Sequence, residues 1–145
     1  MPRPTTPPLG LLLAGTAKTV SRAFDDALAG AGGTLPTWLV AIALKREPSS
    51  TQQQIAGFAG IRGATLSHHL DGMERKGLIT RRRHETDRRS HVVQLTDEGE
   101  AAFHRMREAA GAFDRRLRGG FSDAEVTQLS SLLERLRTNV SDEAT

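Results

Sequence analysis

Leu78-Ile79-Thr80-Arg81-Arg82-Arg83 and His91-Val92-Val93-Gln94-Leu95 are two short runs on either side of a charged loop, His84 to Arg89. The second run is rich in β-branched residues, which suit a pleated, half-buried surface. Together the runs predict a β-hairpin with a long tip, the strongest strand signal in the chain. Nearly everything around them repeats at helical spacing.

Upstream of the hairpin a helix is predicted from about Ala64 to Lys76, ended by Gly77 just past its last turn. Residues placed at about 100° intervals fall on two faces. Leu66, His69, Leu70 and Met73 share the core face. Ala64, Ser67, His68, Asp71 and Arg75 share the other, with Thr65 and Gly72 at its flank. Gly60-Ile61-Arg62-Gly63 is a tight turn. Before it, Ser50-Thr51-Gln52-Gln53 reads as an S-x-x-Q capping box opening a short helix with Ile55, Phe58 and Ala59 on its apolar face. A helix beginning near Thr34, with Pro36 in its first turn, carries Trp38, Leu39, Ile42 and Leu44 and ends before Pro48. The first helix spans about Pro8 to Ala29 and stops at Gly30, Gly32 and Gly33. Residues 1–8, with four prolines, are expected to form a flexible arm.

Downstream, Thr96 is expected to cap a fifth helix whose first turn carries Asp97, Glu98 and Glu100 at the positive end of the helix dipole. Phe103, Met106, Ala110, Phe113 and Leu117 recur at alternating spacings of three and four. Ser122-Asp123-Ala124-Glu125 is a second capping box. It opens a last helix with Val126, Leu129, Leu133, Leu136 and Val140 in the same rhythm. Two such heptad-like seams fit an intramolecular helix pair or an interface between two copies of the chain.

The chain has 145 residues, one domain's worth, and a formal charge of +3. The charge is unevenly placed. Residues 62–91 hold eight basic and four acidic side chains, and residues 92–145 hold seven and ten. The basic excess therefore sits on the fourth helix and the hairpin. The absence of cysteine excludes disulfides, thiol nucleophiles, thiol redox sensing and Cys-ligated zinc. The apolar run Leu9 to Ala14 is too short for a membrane span. Its pattern continues through Lys18, Ser21 and Arg22 as an amphipathic helix, unlike a secretory signal. A cytoplasmic chain is expected.

Helix, short helix, tight turn, helix, charged hairpin is the order of a winged helix-turn-helix. There the helix after the turn enters the DNA major groove and the wing meets backbone or minor groove. The fold class expected is mainly α with a small β-hairpin wing. Asp87-Arg88-Arg89-Ser90-His91-Val92-Val93-Gln94-Leu95-Thr96-Asp97-Glu98-Gly99 resembles the D-x-R-x3-V-x-L-T-x2-G signature of the MarR family of transcriptional regulators. Leu70 to Arg81 resembles that family's helix-to-wing run, and Leu35-Pro36-Thr37-Trp38-Leu39 the start of its second helix.

The resemblance implies a homodimer with three parts. Residues 1–8 form the arm, 9–33 with 96–145 a helical dimerisation region, and 34–95 the winged helix-turn-helix DNA-binding domain. Leu12, Leu13, Val20, Phe113, Leu117, Leu129, Leu133 and Leu136 would serve dimerisation. The family resemblance implies a regulator, most often a repressor, binding a near-palindromic double-stranded DNA operator and relieved by a small-molecule effector. It makes Arg89 the wing arginine that reaches the minor groove and Asp87 its acidic partner, which holds the wing in shape.

The residues themselves support the same roles. An Arg-rich loop offers guanidinium forks to phosphates or to a narrow minor groove, with Arg81 and Arg88 beside Arg89. On the fourth helix, Thr65, Ser67 and His68 are placed to read bases, and Ala64 to meet a thymine methyl. Arg62 and Arg75 suit phosphates. Trp38 either lines the ligand cleft implied by the family or packs the second helix against the first, and a lone Trp favours packing. His68 and His69 point about 100° apart and cannot chelate one ion together. No metal site, cofactor, membrane partner or enzymatic nucleophile–base arrangement is expected. Two other functions fit the composition: a winged-helix protein-interaction module, and a non-specific architectural DNA-binding protein.

Overall fold

The structure, a computed structural model, describes residues 6–86 and 90–141. Its elements are α1 (Leu9–Gly30), α2 (Leu35–Arg46), β1 (Ser50–Thr51), α3 (Gln52–Ala59), α4 (Gly63–Arg75), β2 (Ile79–Arg83), β3 (His91–Leu95), α5 (Asp97–Leu117) and α6 (Asp123–Val140). The fold is mainly helical with a three-stranded antiparallel sheet in the order β1-β3-β2. The hairpin pairs Ile79 with Leu95 and Arg83 with His91. The chain divides into two compact units, 1–111 and 112–145.

The third strand is a feature the sequence did not announce. Ser50 and Thr51 pair with Val93 and Val92. This pairing also moves the cap of α3. The box is Thr51 with Gln54 rather than Ser50 with Gln53: the Gln54 N–H donates to Thr51 Oγ1 at 3.2 Å, and the Thr51 N–H donates to Gln54 Oε1 at 2.9 Å. Ser50 is buried against the sheet, and its hydroxyl donates to the Glu47 carbonyl at 2.7 Å. The overlapping S-x-x-Q and T-x-x-Q patterns are equivalent in isolation, and sheet pairing selects between them.

In the first unit, α2 serves two cores. One face sends Val40, Ala43 and Leu44 to meet Ile55 of α3, Leu66, Leu70 and Met73 of α4, Ile79 of β2 and Val93 of β3. The other sends Ala41, with Trp38 and Ile42, to meet Leu28 of α1 and Ala102, Phe103 and Met106 of α5. Each fully buried Leu or Ile contributes about 1.5–3 kcal/mol. Trp38 stacks on Phe103 with centroids 5.5 Å apart, and Lys45 bridges to Glu100 at 2.9 Å over the Phe103 ring. The expected apolar face of α3 is narrower than its pattern: Phe58 is exposed, with the Arg46 guanidinium 5.1 Å above its ring. Phe58 sits one turn beyond the buried Ile55, where α3 has already reached the surface.

The start of α5 is tied to the α4–β2 turn. Thr96 N–H donates to the Leu78 carbonyl at 3.0 Å, Thr96 Oγ1 donates to the Gly77 carbonyl at 2.5 Å, and the Gly99 N–H donates to Thr96 Oγ1 at 3.0 Å. Gly77 has φ +75, a backbone conformation L side chains rarely adopt. At Gly99 a Cβ would overlap the Leu78 carbonyl oxygen and crowd Leu95. The glycine is required by close backbone approach.

In the second unit, α6 opens with the expected box: Glu125 N–H donates to Ser122 Oγ at 3.1 Å and Ser122 N–H to Glu125 Oε1 at 3.0 Å. Its Leu129, Leu132 and Leu133 are exposed. Among the described residues no single helix is long and apolar enough to cross a membrane. Together α1 and α2 reach that length and hydropathy, but the chain bends by 73° between them.

Gly99→Ala is expected to destabilise the chain by about 3 kcal/mol through overpacking against backbone. Gly57→Ala, where a Cβ meets nothing within 4 Å, is expected to be neutral or stabilising by up to about 1 kcal/mol. Urea unfolding of both variants checks this.

Candidate nucleic-acid interface

α4 is amphipathic, and its buried Leu66, Leu70 and Met73 lock one face into the core. Ala64, Thr65 and His68 are left exposed on the other side, and Arg62, the residue before the helix, is exposed as well. Ser67 is half-buried because Gln52 Nε2 of α3 donates to its hydroxyl at 3.1 Å. That bond ties the first turn of α3 to α4 across the helix-turn-helix. His69 is half-buried at the rim, and its ring lies 6.0 Å from that of His68.

The first turns of α3 and α4 and the tip end of β3 surround one hollow of about 550 Å³, lined by Thr51, Gln52, Gln53, Gly63, Ser67 and His91 among others. A second hollow of about 390 Å³ lies between Thr51, Gln54, Arg82, Arg83 and His84. Arg82 and Arg83 are exposed on β2, and Arg75 is exposed in the last turn of α4. The hairpin tip is closed by a hydrogen bond from the His84 N–H to the Ser90 carbonyl at 2.9 Å. Asp87, Arg88 and Arg89, the wing residues singled out from the sequence, lie outside the described residues.

Arg81 departs from its expected role. Instead of projecting with its neighbour Arg82, its Nη2 donates to Asp71 Oδ1 at 2.5 Å and to Glu74 Oε1 at 3.1 Å. The reason is strand alternation. Arg81 shares the face of β2 that carries buried Ile79, so its side chain lies against α4 and is 18% exposed. The shorter contact goes to Asp71, the more exposed of the two carboxylates. The hydrogen bond from Arg81 is the chief cause that holds the Glu74 carboxyl below its ordinary value of 4.5. The bond to Glu74, with Asp71 beside it, raises Arg81 above its own ordinary value. Sequence reasoning had placed Asp71 on the exposed face without a partner. Strand alternation turns Arg81 toward the buried side of β2 but does not by itself name Asp71 as its partner.

Trp38 is half-buried in the second core and stacks on Phe103 of α5 rather than on a ring of α1. Of the residues expected at a dimer interface, Leu12, Leu13, Leu117, Leu129 and Leu133 are exposed, and Val20, Phe113 and Leu136 are half-buried. Among the described residues no three His, Cys, Asp or Glu side chains gather as a metal site would need.

Residues 34–91 match the family model described as the MarR family. The matched segment runs from the cap of α2 to the first residue of β3, and so contains the helix-turn-helix and the first strand of the hairpin. Solved structures align with most of the chain. A mutant of MarR from E. coli complexed with operator DNA superposes at TM-score 0.79 with 22% identity, covering 90% of this chain and 94% of that one. The transcriptional repressor CouR, bound to a 23-mer DNA duplex, superposes at 0.81 with 29% identity over 90% and 92%. BpsR of Bordetella bronchiseptica superposes at 0.76 with 22% identity over 89% and 98%.

The lowered value of Glu74 predicts the pH range of the α4–wing tie. The folded carboxyl binds its proton more weakly than the unfolded one, so its contribution is complete above about pH 5.5. It fades as pH falls through the lowered folded value. The pair is partly exposed, so the size is about 0.5 kcal/mol. Unfolding free energies of wild type and Glu74→Gln are expected to differ by that amount at neutral pH and to converge once pH falls below the lowered folded value.

Proposed function

We propose that this chain is a cytoplasmic, homodimeric, sequence-specific DNA-binding regulator, a repressor that a small ligand releases from a near-palindromic operator. The observation that carries the proposal is the exposed face of α4, Ala64, Thr65 and His68, with Arg62 before it and Arg75 in its last turn, on a helix packed against a hairpin with exposed Arg82 and Arg83. Cations around a small polar helix face suit a helix lying in a major groove between two phosphate strands. In this proposal residues 34–95 bind DNA. Thr65, Ser67 and His68 read bases, Ala64 meets a thymine methyl, and Arg62, Arg75 and Arg88 hold phosphates. Arg89 enters the minor groove, with Asp87 shaping the wing.

Residues 9–33 and 96–145 form the dimerisation region. Two features support this. Leu12, Leu129 and Leu133 remain exposed in the single chain. An open apolar groove of about 540 Å³ also runs along α1 between Leu11, Leu12, Gly15, Thr19 and Val20. A second copy would cover such surface. A two-fold dimer would set two α4 helices about 10–10.5 base pairs apart. The repressor assignment draws on CouR, and release by a ligand on BpsR, whose DNA binding is regulated by 6-hydroxynicotinic acid.

Fluorescence anisotropy with labelled duplexes tests the proposal. Affinity is expected to fall steeply with salt, and an inverted repeat to bind at least about 1,000-fold more tightly than random DNA. Arg89→Ala is expected to weaken binding at least about 10-fold with the dimer intact, and His68→Ala to change the ranking of operator variants. Equal affinity for all duplexes would instead make the chain an architectural binder. No binding at any salt would make it a protein-interaction module.

A further inference from the structure

We propose that Arg81 is a positioning residue for DNA binding: it neutralises Asp71 and Glu74 on α4 and fastens that helix to the wing without itself touching DNA. This builds on α4 as the groove-entering helix proposed above. The charges of α4 make such a device necessary. Residues 63–75 hold Asp71, Glu74 and Arg75, so the helix carries one net negative charge by itself. Arg62 and Lys76 flank the helix, but Asp71 and Glu74 lie on it, and a carboxylate brought near a phosphate strand is a costly like-charge juxtaposition.

Arg81 brings the missing positive charge from another element. Asp71 and Glu74 are three residues apart on α4, so they share one helix face. The Arg81 guanidinium reaches both, at 2.5 and 3.1 Å. Its backbone is held in mid-strand opposite Val93, which is fully buried. The guanidinium is therefore delivered from a rigid position, while a lysine there would supply a mobile point charge without the fork. The pair also adds polar ties from β2 to α4 beside the apolar packing of Leu70 and Met73 with Ile79.

The test uses the full-length dimer, a fluorescein-labelled mixed-sequence duplex of about 30 base pairs, and a salt series from about 50 to 200 mM KCl. Four proteins are compared: wild type, Arg81→Ala, Asp71→Asn/Glu74→Gln, and the triple variant. Arg81→Ala is expected to lose about 10-fold or more in affinity. The triple variant is expected to recover to within about 3-fold of wild type, since the acids that needed neutralising are gone. A direct phosphate contact behaves differently: Arg81→Ala would lower the salt slope by about one, and the triple variant would stay as weak as Arg81→Ala. That result, or unchanged affinity in Arg81→Ala, overturns the proposal. Arg81→Gln, which keeps a hydrogen-bonding stem, replaces Arg81→Ala if the latter melts below the assay temperature, with the same expected loss and rescue. A wild-type chain that binds no duplex overturns the DNA-binding role of α4 itself, and this role of Arg81 with it.

Discussion

Thr96 holds the backbone of Gly77 and Leu78, and three elements depend on that grip. Its N–H bonds the Leu78 carbonyl, its hydroxyl bonds the Gly77 carbonyl, and the same hydroxyl oxygen accepts the N–H of Gly99. Gly77 ends α4, Leu78 leads into β2, and Gly99 lies in the first turn of α5. One side chain therefore sets the exit of α4, the entry of the wing and the start of the long helix. Gly99 lets the backbones meet, because any Cβ there would occupy the space of the Leu78 carbonyl. Leu78 is packed against both cores of the first unit, so the grip also joins them.

From that junction the two sides of the wing follow. β3 is the central strand, paired with β2 on one edge and with β1 on the other. Val93 is fully buried and faces both Arg81 and Ser50 in register. The sheet thus reaches from the wing to the residue before α3. Gln52 then ties the first turn of α3 to Ser67 of α4. The elements that would approach DNA are linked through backbone pairing, a packed core and a few polar bonds. Short polar ties across a packed core keep side chains at fixed separations, as recognition of a regular duplex requires.

The extent to which the site was legible differs from residue to residue. Thr96 stands out in sequence as a cap ahead of Asp97, Glu98 and Glu100, whereas the need for glycine at 99 comes from the Leu78 carbonyl packed against it. The exposure of Ala64, Thr65 and His68 follows from the helical period once Leu66, Leu70 and Met73 are taken as core. Arg81 is different. In a run of three arginines, composition suggests a single basic surface, but strand alternation turns the first toward α4 and leaves its neighbour outside. Its two carboxylate partners lie seven and ten residues away on another element, a distance no local pattern reports. The 3-4-3-4 seam of α5 is similar. Its period is continuous, yet Phe103 and Met106 enter the second core while Leu117 stays exposed.

Sequence alone determined the kinds and order of the elements: the helices, the hairpin, the second capping box, the glycine-ended α4 and the excess of basic charge between 62 and 91. These depend on period, propensity and backbone freedom, all of which act over a few neighbouring residues. Only the tertiary structure decided that Ser50 joins a sheet and passes the α3 cap to Thr51. It alone decided that Phe58 stays outside and that Arg81 serves Asp71 and Glu74. Each of these outcomes is a competition between two locally acceptable arrangements, settled by partners far along the chain.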